Sequence, residues 1–224
     1  LKEHETDMEE IKELKIGCIT LGILENNNYF VHREGEYETI FFDPTSQGEK
    51  LFVRLREKGL EIKAILLTHG HFDHIMGVNE MREVSNALVY ASEDEAELLA
   101  DPARNTSERV GKKYTVKPDV LLKDGDEITV GSMHFRMIKT PGHTQGGCCF
   151  YSEEDKVLFS GDTLFYESVG RSDFPTGDAS ALRRSLEKLL KLPEDVKVYP
   201  GHGEFTTIEH EKKYNPYASN PMYD

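Results

Sequence analysis

The first part of the chain alternates short apolar runs with turn residues, which is the pattern of strands in a β-sheet. We predict three strands there, at 16–21, 29–31 and 39–42. Glu34 and Gly35 supply a turn between the second and the third strand, so these two strands are expected to form a hairpin.

A helical period replaces this alternation after residue 46. Leu51, Phe52 and Leu55 fall on one face of a helix predicted at 47–58, and Gly59 lies where a C-terminal cap is expected. The same reasoning predicts the next elements: a strand at 62–67, a helix with the apolar stripe Ile75, Val78 and Met81, a strand at 87–90, and a helix through Leu99 opened by the capping box Ser92-x-x-Glu95.

The second half of the chain returns to strands and then closes with one strong helix and one strand. The predicted strands lie at 120–122, 128–130, 133–138, 148–151, 157–160 and 196–199. The helix begins at the N-cap candidate Asp178 and stops at Pro193. Two β-rich halves with helices outside predict an α/β fold, a four-layer αββα sandwich of two mixed sheets. We expect a loose lead-in at 1–13 and a single domain at 14–224.

Composition narrows the function classes. The formal net charge of −14 disfavours a nucleic-acid partner, which would normally meet a basic stripe. No apolar run approaches the roughly 18 residues of a membrane helix, and the first residues lack the pattern of a secretion signal. The three cysteines, Cys18, Cys148 and Cys149, indicate no disulfide framework and are interpreted as strand packing. A cytoplasmic protein is expected.

Candidate metal ligands collect directly after apolar strands. The run T-H-G-H-F-D-H at 68–74 places three imidazoles and a carboxylate within six positions at the end of the strand predicted at 62–67. Unpaired, these groups would cost several kcal/mol to desolvate, whereas a bound cation would satisfy them. The later residues in the same setting are His143, Asp162 and His202. Loops at strand ends converge, so we expect all of these side chains to share one site.

Spacing divides the first cluster into two parts. His69 and His71 are two residues apart, so their side chains point to one side of an extended segment. Asp73 and His74 come after the chain has turned into a helix and would face a neighbouring position. Because five histidines and two carboxylates are too many for one tetrahedral ion, two ions that share Asp162 are expected.

The motifs in their order resemble those of the metallo-β-lactamase superfamily. They are T-H-G-H-F-D-H at 68–74, T-P-G-H-T at 140–144, S-G-D-T-L-F at 160–165 and P-G-H-G at 200–203. Within that superfamily, G-R-S-D-F-P-x-G-D at 170–178 and the ending E-x-x-x-N-P at 211–216 are similar to the compact glyoxalase II-like hydrolases.

The resemblance implies a role for each matching residue. It implies that His69, His71 and His143 hold a first metal, that Asp73, His74 and His202 hold a second metal, and that Asp162 bridges the two. Asp43, in F-F-D-P at 41–44, matches an acid that orients a ligand histidine or the surrounding loops. Asp73 and Asp162 are the expected catalytic carboxylates, acting with a metal-bound hydroxide. Zinc is the expected metal, with iron or manganese as alternatives.

A small-molecule thioester such as S-lactoylglutathione is the expected substrate. Metal binding lowers the pKa of water to about 7, so a metal-bridging hydroxide can attack a carbonyl at neutral pH. A thiol pKa near 8.5 makes the thiolate a tolerable leaving group without a general acid. An amide or β-lactam nitrogen would need a proton, and no donor is evident in the sequence. The sequence indicates no oligomeric state.

Two departures from glyoxalase II concern its substrate contacts. That family carries glutathione-contacting residues on a C-terminal helical extension, and 22 residues (224 − 202) follow His202 here. A lysine and a tyrosine of its substrate loop appear as Arg171 and Asp173. Arg171 is a candidate contact for a substrate carboxylate, and a structural arginine in a tight loop is the alternative.

A persulfide dioxygenase is the alternative function. Those relatives have similar histidine motifs and a similar G-R-x-D-F loop, with one iron held by two histidines and a carboxylate. In this chain the set would be His69 or His71 with His143 and Asp162. Pro175 and the following Gly-Asp pair favour the hydrolase branch.

Residues 101–118 form a local basic cluster in an acidic chain. They include Arg104, Arg109, Lys112 and Lys113 and show no clear periodicity. A solvated loop is the favoured interpretation, and a contact with an anionic substrate is the other.

Overall fold

The computed structural model describes residues 12–218. The lead-in predicted at 1–13 therefore lies outside the described residues, apart from Lys12 and Glu13, which directly precede the first strand. Fourteen strands are described within that range: β1 Leu14–Leu21, β2 Asn26–Arg33, β3 Glu38–Phe42, β4 Glu61–Leu66, β5 Leu88–Ser92, β6 Val120–Leu122, β7 Glu127–Val130, β8 Met133–Lys139, β9 Cys148–Ser152, β10 Val157–Gly161, β11 Leu164–Phe165, β12 Ser168–Val169, β13 Lys197–Pro200 and β14 Thr206–Thr207.

Six α-helices accompany the strands in the described range: α1 Gly48–Glu57, α2 Phe72–Ile75, α3 Val78–Ser85, α4 Ala96–Leu99, α5 Ala179–Leu189 and α6 Ile208–Tyr214. Short 3₁₀ turns lie at Glu93–Glu95 and Ser107–Val110. None of the described helices is both long enough and apolar enough to cross a bilayer.

Two six-stranded sheets organise the molecule. The first has the order β1-β2-β3-β4-β5-β6 and the second has the order β14-β13-β10-β9-β8-β7. Both are mixed: β1 to β3 pair antiparallel while β3 to β6 pair parallel, and in the second sheet β10 and β13 are parallel. The predicted hairpin between β2 and β3 is confirmed by their antiparallel register.

Three apolar clusters separate four layers. Neighbouring residues of a strand point to opposite faces, so Phe42 packs between the sheets while Phe41 packs against the outer helices of the first sheet. Phe42 stacks on Phe159 of the second sheet with ring centroids 4.0 Å apart. The third cluster places Leu186 of α5 against Leu158 on the other outer face. The predicted αββα sandwich of two mixed sheets is confirmed.

The cysteine interpretation holds for two of the three cysteines. Cys148 packs between the sheets and Cys149 packs toward the outer helices, so the two neighbours face opposite sides of β9. Cys18 lies on β1 and is exposed, so its packing role was predicted wrongly. All three are free thiols.

The single helix predicted after the histidine cluster is two helices, α2 and α3. The break falls at Gly77, whose N–H donates to Pro44 O over 2.8 Å. A Cβ at this position would lie 2.9 Å from the same oxygen, so the close approach of the two segments requires glycine. The periodic apolar stripe spans the break because Ile75, Val78 and Met81 all pack into the same cluster.

Candidate metal centre

The predicted ligands meet where the ends of the two sheets converge. His69 and His71 follow β4 of the first sheet, and Asp73 and His74 lie in α2 immediately after them. The second sheet supplies the others, each at the end of a strand or just after it: His143 after β8, Asp162 after β10 and His202 after β13. The site is therefore built from both halves of the chain, on loops that rigid strands position.

The first ligand group consists of His69, His71 and His143. One nitrogen of each lies within 4.8 Å of the others, and His71 Nδ1 is 2.9 Å from His143 Nε2. The Nδ1 of His143 lies 2.7 Å from Arg171 O. Because a carbonyl oxygen can only accept, this nitrogen carries the proton, which leaves Nε2 as a lone pair facing the group.

The second ligand group consists of Asp73, His74 and His202, again within 4.8 Å of one another. His202 Nε2 lies 3.4 Å from Asp73 Oδ2, and His74 Nε2 lies 3.6 Å from the same oxygen. His202 Nδ1 donates to Leu24 O over 2.9 Å. The Nε2 atoms of both histidines therefore face the carboxylate.

Asp162 lies between the two groups. Its Oδ1 is 3.4 Å from His74 Nε2, and its Oδ2 is 3.5 Å from both His143 Nε2 and His202 Nε2. A Cβ on Gly201 would lie 2.3 Å from Asp162 Oδ1, so the residue before His202 must be glycine for the carboxylate to occupy this position. One carboxylate thus faces both groups, which is the placement that a bridging ligand requires.

Asp43 supports the ligands from behind. Its Oδ1 accepts from Thr68 N over 2.8 Å, and its Oδ2 accepts from Thr68 Oγ1 over 2.6 Å and lies 3.0 Å from His74 Nδ1. The backbone of Asp43 is left-handed, with φ 46°, a strained state that surrounding contacts must hold in place. With its oxygens engaged in this way, Asp43 is placed to orient His74 and the loop that starts at Thr68.

Burial and charge act differently on the two groups. Burial lowers the pKa of His69 well below its usual value and lowers that of His71 to about 3, which keeps both imidazoles neutral. In the second group burial disfavours the protonated form of the histidines, but the neighbouring carboxylates stabilise that form. They raise the pKa of His202 to about 9 and that of His74 well above its usual value.

The carboxylates show the reciprocal effect. Although burial opposes their ionisation, the adjacent histidines lower the pKa of Asp73 to about 2 and hold that of Asp162 well below its usual value. The acidic part of the site therefore stabilises positive charge, whether as protons or as bound cations.

Buried ligand atoms without a hydrogen-bond partner indicate that these residues fit divalent cations. Among the described residues, three buried ligand atoms have no hydrogen-bond partner: His69 Nε2, His74 Nε2 and Asp162 Oδ1. Leaving a buried polar atom unsatisfied costs about 1–3 kcal/mol, so a cation that binds these atoms removes a real penalty. Imidazole and carboxylate ligands suit zinc, iron and manganese.

Glu95 is a supporting residue that the sequence interpretation missed. Its buried carboxylate accepts from Gly70 N and from Gly146 N, each over 2.8 Å. Burial raises its pKa to about 7 against the opposing effect of these hydrogen bonds. Glu95 therefore ties the loop of His69 and His71 to the loop of His143. The predicted capping box is wrong, because Ser92 makes no side-chain cap.

Three consecutive asparagines at the start of β2 were also missed. Asn26 Nδ2 donates to Asp73 Oδ2 over 2.9 Å. Asn27 Nδ2 donates to Pro200 O and to Gly203 O, and thereby holds the turn of His202. The signal in the sequence was a run of amides entering a strand, where β-propensity is low.

Arg171 lies at the rim of the first ligand group. Its guanidinium makes two 2.6 Å hydrogen bonds to the Asp173 carboxylate and stacks over Phe174, with Cζ 4.1 Å from the ring centroid. Phe174 in turn contacts the edge of His71, with centroids 5.2 Å apart. Substrate contact by Arg171 stays a prediction, with its charge already paired to Asp173.

The basic segment at 101–118 is more ordered than a solvated loop. Asn105 and Ser107 are fully buried, and Asn105 O accepts from Phe72 N over 2.9 Å at the start of α2. Arg109 stacks on Phe174 from this segment, with Cζ 5.0 Å from the centroid. The favoured solvated-loop interpretation is wrong for the part that packs beside the site.

The comparisons with curated proteins identify one family. The model of the metallo-beta-lactamase superfamily matches residues 21–202. The probable metallo-hydrolase YqgX of Bacillus subtilis is 38% identical over 202 residues, 89% of this chain and 95% of that protein. The hydroxyacylglutathione hydrolase GloC of Haemophilus influenzae is 33% identical over 194 residues, 84% of this chain and 90% of GloC.

Solved structures show the same relationship. BLEG-1, a B3 metallo-beta-lactamase, superposes with a TM-score of 0.86 at 40% identity and covers 92% of this chain and 100% of its own. TTHA1623 in a di-iron-bound form gives 0.80 at 36% identity, covering 90% of this chain and 99% of its own. ETHE1 from Myxococcus xanthus gives 0.76 at 28% identity, covering 91% and 84%.

The family match includes every predicted metal ligand from His69 to His202, and the identities extend over most of the chain. The chain therefore belongs to the metallo-beta-lactamase superfamily, as a metal-dependent hydrolase of that superfamily.

Proposed function

We propose that this protein is a binuclear metallohydrolase that cleaves a thioester of the S-lactoylglutathione type. The observation that carries the proposal is the position of Asp162, whose carboxylate lies 3.5 Å from His143 of the first group and 3.4–3.5 Å from His74 and His202 of the second. Two cations bound there would supply Lewis-acid activation of water and of the substrate carbonyl. Asp73 and Asp162 are the proposed catalytic carboxylates.

The chain itself contributes positioning. Asp43, Glu95 and Asn26 hold the loops that present the ligands, through the hydrogen bonds described above. Because the ligand side chains other than His202 are almost completely buried, the orientation of those side chains does not depend on solvent. Such preorganised charge costs no reorganisation during the reaction and is a large contribution to catalysis.

The leaving group favours a thioester over an amide. Among the described residues, the carboxylates in contact with the ligand groups are Asp43, Asp73 and Asp162, and each is engaged by hydrogen bonds or by close contacts with the histidines. No carboxylic acid stands free there to protonate a leaving nitrogen. A thiolate leaves without that proton, since thiols ionise near pH 8.5. The similarity to GloC, a hydroxyacylglutathione hydrolase at 33% identity, supports the same substrate class.

We propose zinc as the physiological metal, with iron or manganese as alternatives. The ligand types accept all three ions. The di-iron form of TTHA1623, 36% identical to this chain, supports two ions and keeps iron among the candidates. The partner is proposed to be a small molecule, with no nucleic acid and no membrane, in the cytoplasm.

Metal analysis combined with a thiol-release assay tests the function. We expect close to two metal ions per chain and release of glutathione from S-lactoylglutathione by the purified protein. A chromogenic β-lactam serves as the comparison substrate because BLEG-1, a B3 metallo-beta-lactamase, is 40% identical. Faster turnover of the β-lactam than of the thioester would contradict the proposal. One iron per chain with oxygen consumption on glutathione persulfide would instead show the dioxygenase alternative.

A further inference from the structure

Two arginines stack on Phe174 beside the first ligand group, but only one of them is paired. Arg171 is held by two hydrogen bonds to the Asp173 carboxylate. The guanidinium of Arg109 lies 5.0 Å from the Phe174 centroid. Its charge acts on the Asp173 carboxylate from a distance, but it makes no hydrogen bond or ion pair with any residue in the range 12–218. An exposed guanidinium with free donors at the edge of a site is a binding group for carboxylate or phosphate.

Phe174 connects Arg109 to the ligands. Its ring contacts His71 with centroids 5.2 Å apart and His143 with centroids 6.5 Å apart. A guanidinium on this ring is therefore about one aromatic ring away from the ligand nitrogens. A substrate whose carbonyl lies at the metal centre could reach Arg109 with a charged group of its thiol carrier.

The segment that carries Arg109 is fixed by a set of hydrogen bonds on both sides of it. Ser107 N donates to Asn105 Oδ1 over 3.0 Å, and Asn105 Nδ2 donates to Tyr114 O over 2.8 Å. Tyr114 N donates to Ser107 Oγ over 3.1 Å, and the Tyr114 hydroxyl accepts from Asn79 N over 2.9 Å. Since the backbone is held on both sides of Arg109, little ordering is needed when a ligand binds.

The same segment borders the second ligand group. A cleft of about 260 Å³ opens beside Asp73 and is lined by apolar side chains that include Ile23, Phe72 and Met76. Lys112 lies on its wall, and its ammonium group also has no ion pair within the described part of the chain. Arg109 and Lys112 thus flank the site as cations without an ion pair in a protein whose net charge is −14.

We propose that Arg109 binds an oxyanion of the substrate, so that the segment 106–112 selects thioesters of an anionic thiol carrier. This inference rests on the proposed thioester hydrolysis and names its substrate class. The oxyanion is a carboxylate, as in glutathione, or a phosphate, as in coenzyme A. The cleft beside Asp73 accepts the apolar part of the molecule, and Lys112 adds to the local positive potential.

Binding of stable thioethers to the metal-loaded protein tests the subsite without requiring turnover. The probes are S-butylglutathione, its dimethyl ester, in which both carboxylates are blocked, and S-butyl-coenzyme A. Titration calorimetry should show that the wild-type protein binds at least one anionic thioether about tenfold or more tightly than the diester, because a charge-assisted hydrogen bond is removed in the diester. The anionic probe that binds more tightly identifies the oxyanion.

Three variants separate recognition by Arg109 from a general charge effect. Arg109→Gln should weaken the preferred anionic probe about tenfold and leave the diester unchanged. Lys113→Gln removes the same charge from an exposed neighbour that does not line the cleft or contact Phe174, and should keep the preference. Arg109→Lys keeps the charge but loses the planar guanidinium, and it should retain part of the preference for the anionic probe.

Two results would overturn the subsite. The first is a wild-type protein that binds the diester as tightly as the anionic probes. The second is an equal loss of affinity for the anionic probe in Arg109→Gln and in Lys113→Gln. Turnover is scored separately. Hydrolysis of S-lactoylglutathione with an unchanged KM in Arg109→Gln would leave the proposed function standing without the subsite. Arg109-dependent probe binding without thioester hydrolysis would leave the subsite standing without the proposed function.

Discussion

Asp162 is the residue on which the two ligand groups depend together. Its Oδ2 lies near His143 of the first group and His202 of the second, and its Oδ1 lies near His74 and has no hydrogen-bond partner among the described residues. A ligand that belongs to one group affects one cation, whereas a shared carboxylate affects both. This distinction makes its replacement more informative than that of any single histidine.

We expect Asp162→Ala to lower both the metal content and the turnover. Removal of the shared carboxylate takes away the negative charge that contributes most to the raised pKa of His74 and of His202. Loss of a group that orients a metal ligand typically lowers metal affinity about 10- to 100-fold, and loss of a shared ligand should cost at least as much. Elemental analysis after dialysis and the thioester assay measure the two effects. His134→Ala is the control, because His134 is an exposed residue of β8 outside the site. Full activity with both metals retained would refute the bridging role.

His202 predicts a pH dependence of the metal-free protein. Its pKa is raised from 6.5 to about 9 in the folded state, so its protonation stabilises the fold fully below about pH 6.5 and this contribution is lost as the pH rises through about 9. The shift corresponds to at most about 3 kcal/mol. Urea unfolding of chelator-treated protein should show this decline, and His202→Gln should make it shallower, with His74, whose pKa is also raised, supplying the remainder.

Metal binding should remove the same dependence. A cation on Nε2 takes the place of the proton, so metal-loaded protein should show little change in unfolding free energy from this residue over that range. The electrostatic account would be contradicted if, without metal, the unfolding free energies of wild type and His202→Gln differed by the same amount at pH 6 and at pH 9.

Most residues of the site could be predicted because they occur in dense local motifs. The three histidines at 69–74 and the glycine-flanked His143 and His202 are visible without knowledge of the fold. Asn26 and Glu95 were not predictable in this way. Asn26 reaches Asp73 across 47 positions of sequence, and Glu95 reaches Gly146 across 51. Such contacts depend on tertiary structure, and nothing local distinguishes these residues from ordinary polar ones.

At the scale of elements, Glu95 shows how one side chain positions two loops. It lies in the turn between β5 and α4, and its two oxygens accept from backbone N–H groups of separate ligand loops. Buried N–H groups require acceptors. The local pattern Ser-x-x-Glu predicts a helix cap. Glu95 instead accepts from the backbone N–H groups of Gly70 and Gly146, which have no other acceptor among the hydrogen bonds described.

We expect Glu95→Gln to destabilise the fold by about 1–3 kcal/mol and to lower metal occupancy. The amide replaces one accepting oxygen by a donor, so one of the two backbone N–H groups is left unsatisfied. Urea unfolding and metal analysis measure the two changes. Glu97→Gln is the matched control, because Glu97 is exposed and pairs only with Arg104 on the surface. A Glu95→Gln protein with wild-type stability and metal content would show that Glu95 does not brace the loops.

The boundaries of helices were predicted correctly where local sequence signals and tertiary packing favour the same end points. The helix predicted at 47–58 is α1, and Gly59 takes a left-handed φ of 78° at its end. The helix predicted from Asp178 is α5, whose N-cap carboxylate accepts from Ala181 N. The break between α2 and α3 and the short strands β11, β12 and β14 arise from contacts with distant segments, which periodicity does not report.

At the scale of the whole molecule, the order of elements was enough to predict the four layers. The central strands are buried on both faces, so each sheet must bury one face against the other sheet and its opposite face against helices. The stacked pair Phe42 and Phe159 lies at that junction. Pairing across the chain, such as β13 beside β10, is set by the sandwich as a whole rather than by neighbouring residues.

The metal centre should also stabilise this arrangement, because its ligands come from both halves of the chain. A ligand present at 1,000 times its Kd stabilises a fold by about 4 kcal/mol, and for a chain of this size each kcal/mol shifts Tm by about 2–4 °C. Removal of the metals by a chelator should therefore lower Tm by about 8–16 °C, and zinc added back should restore it. Differential scanning calorimetry, with metal analysis of the same samples, measures the change.

A variant without a complete ligand set separates this effect from any direct action of the chelator. His71→Ala combined with His74→Ala removes one imidazole from each group, so its Tm should not respond to the chelator. An unchanged Tm in wild-type protein shown to have lost its metals would contradict the coupling. It would mean that the sheet–sheet core alone holds the two halves together, and that the cations act only in the chemistry.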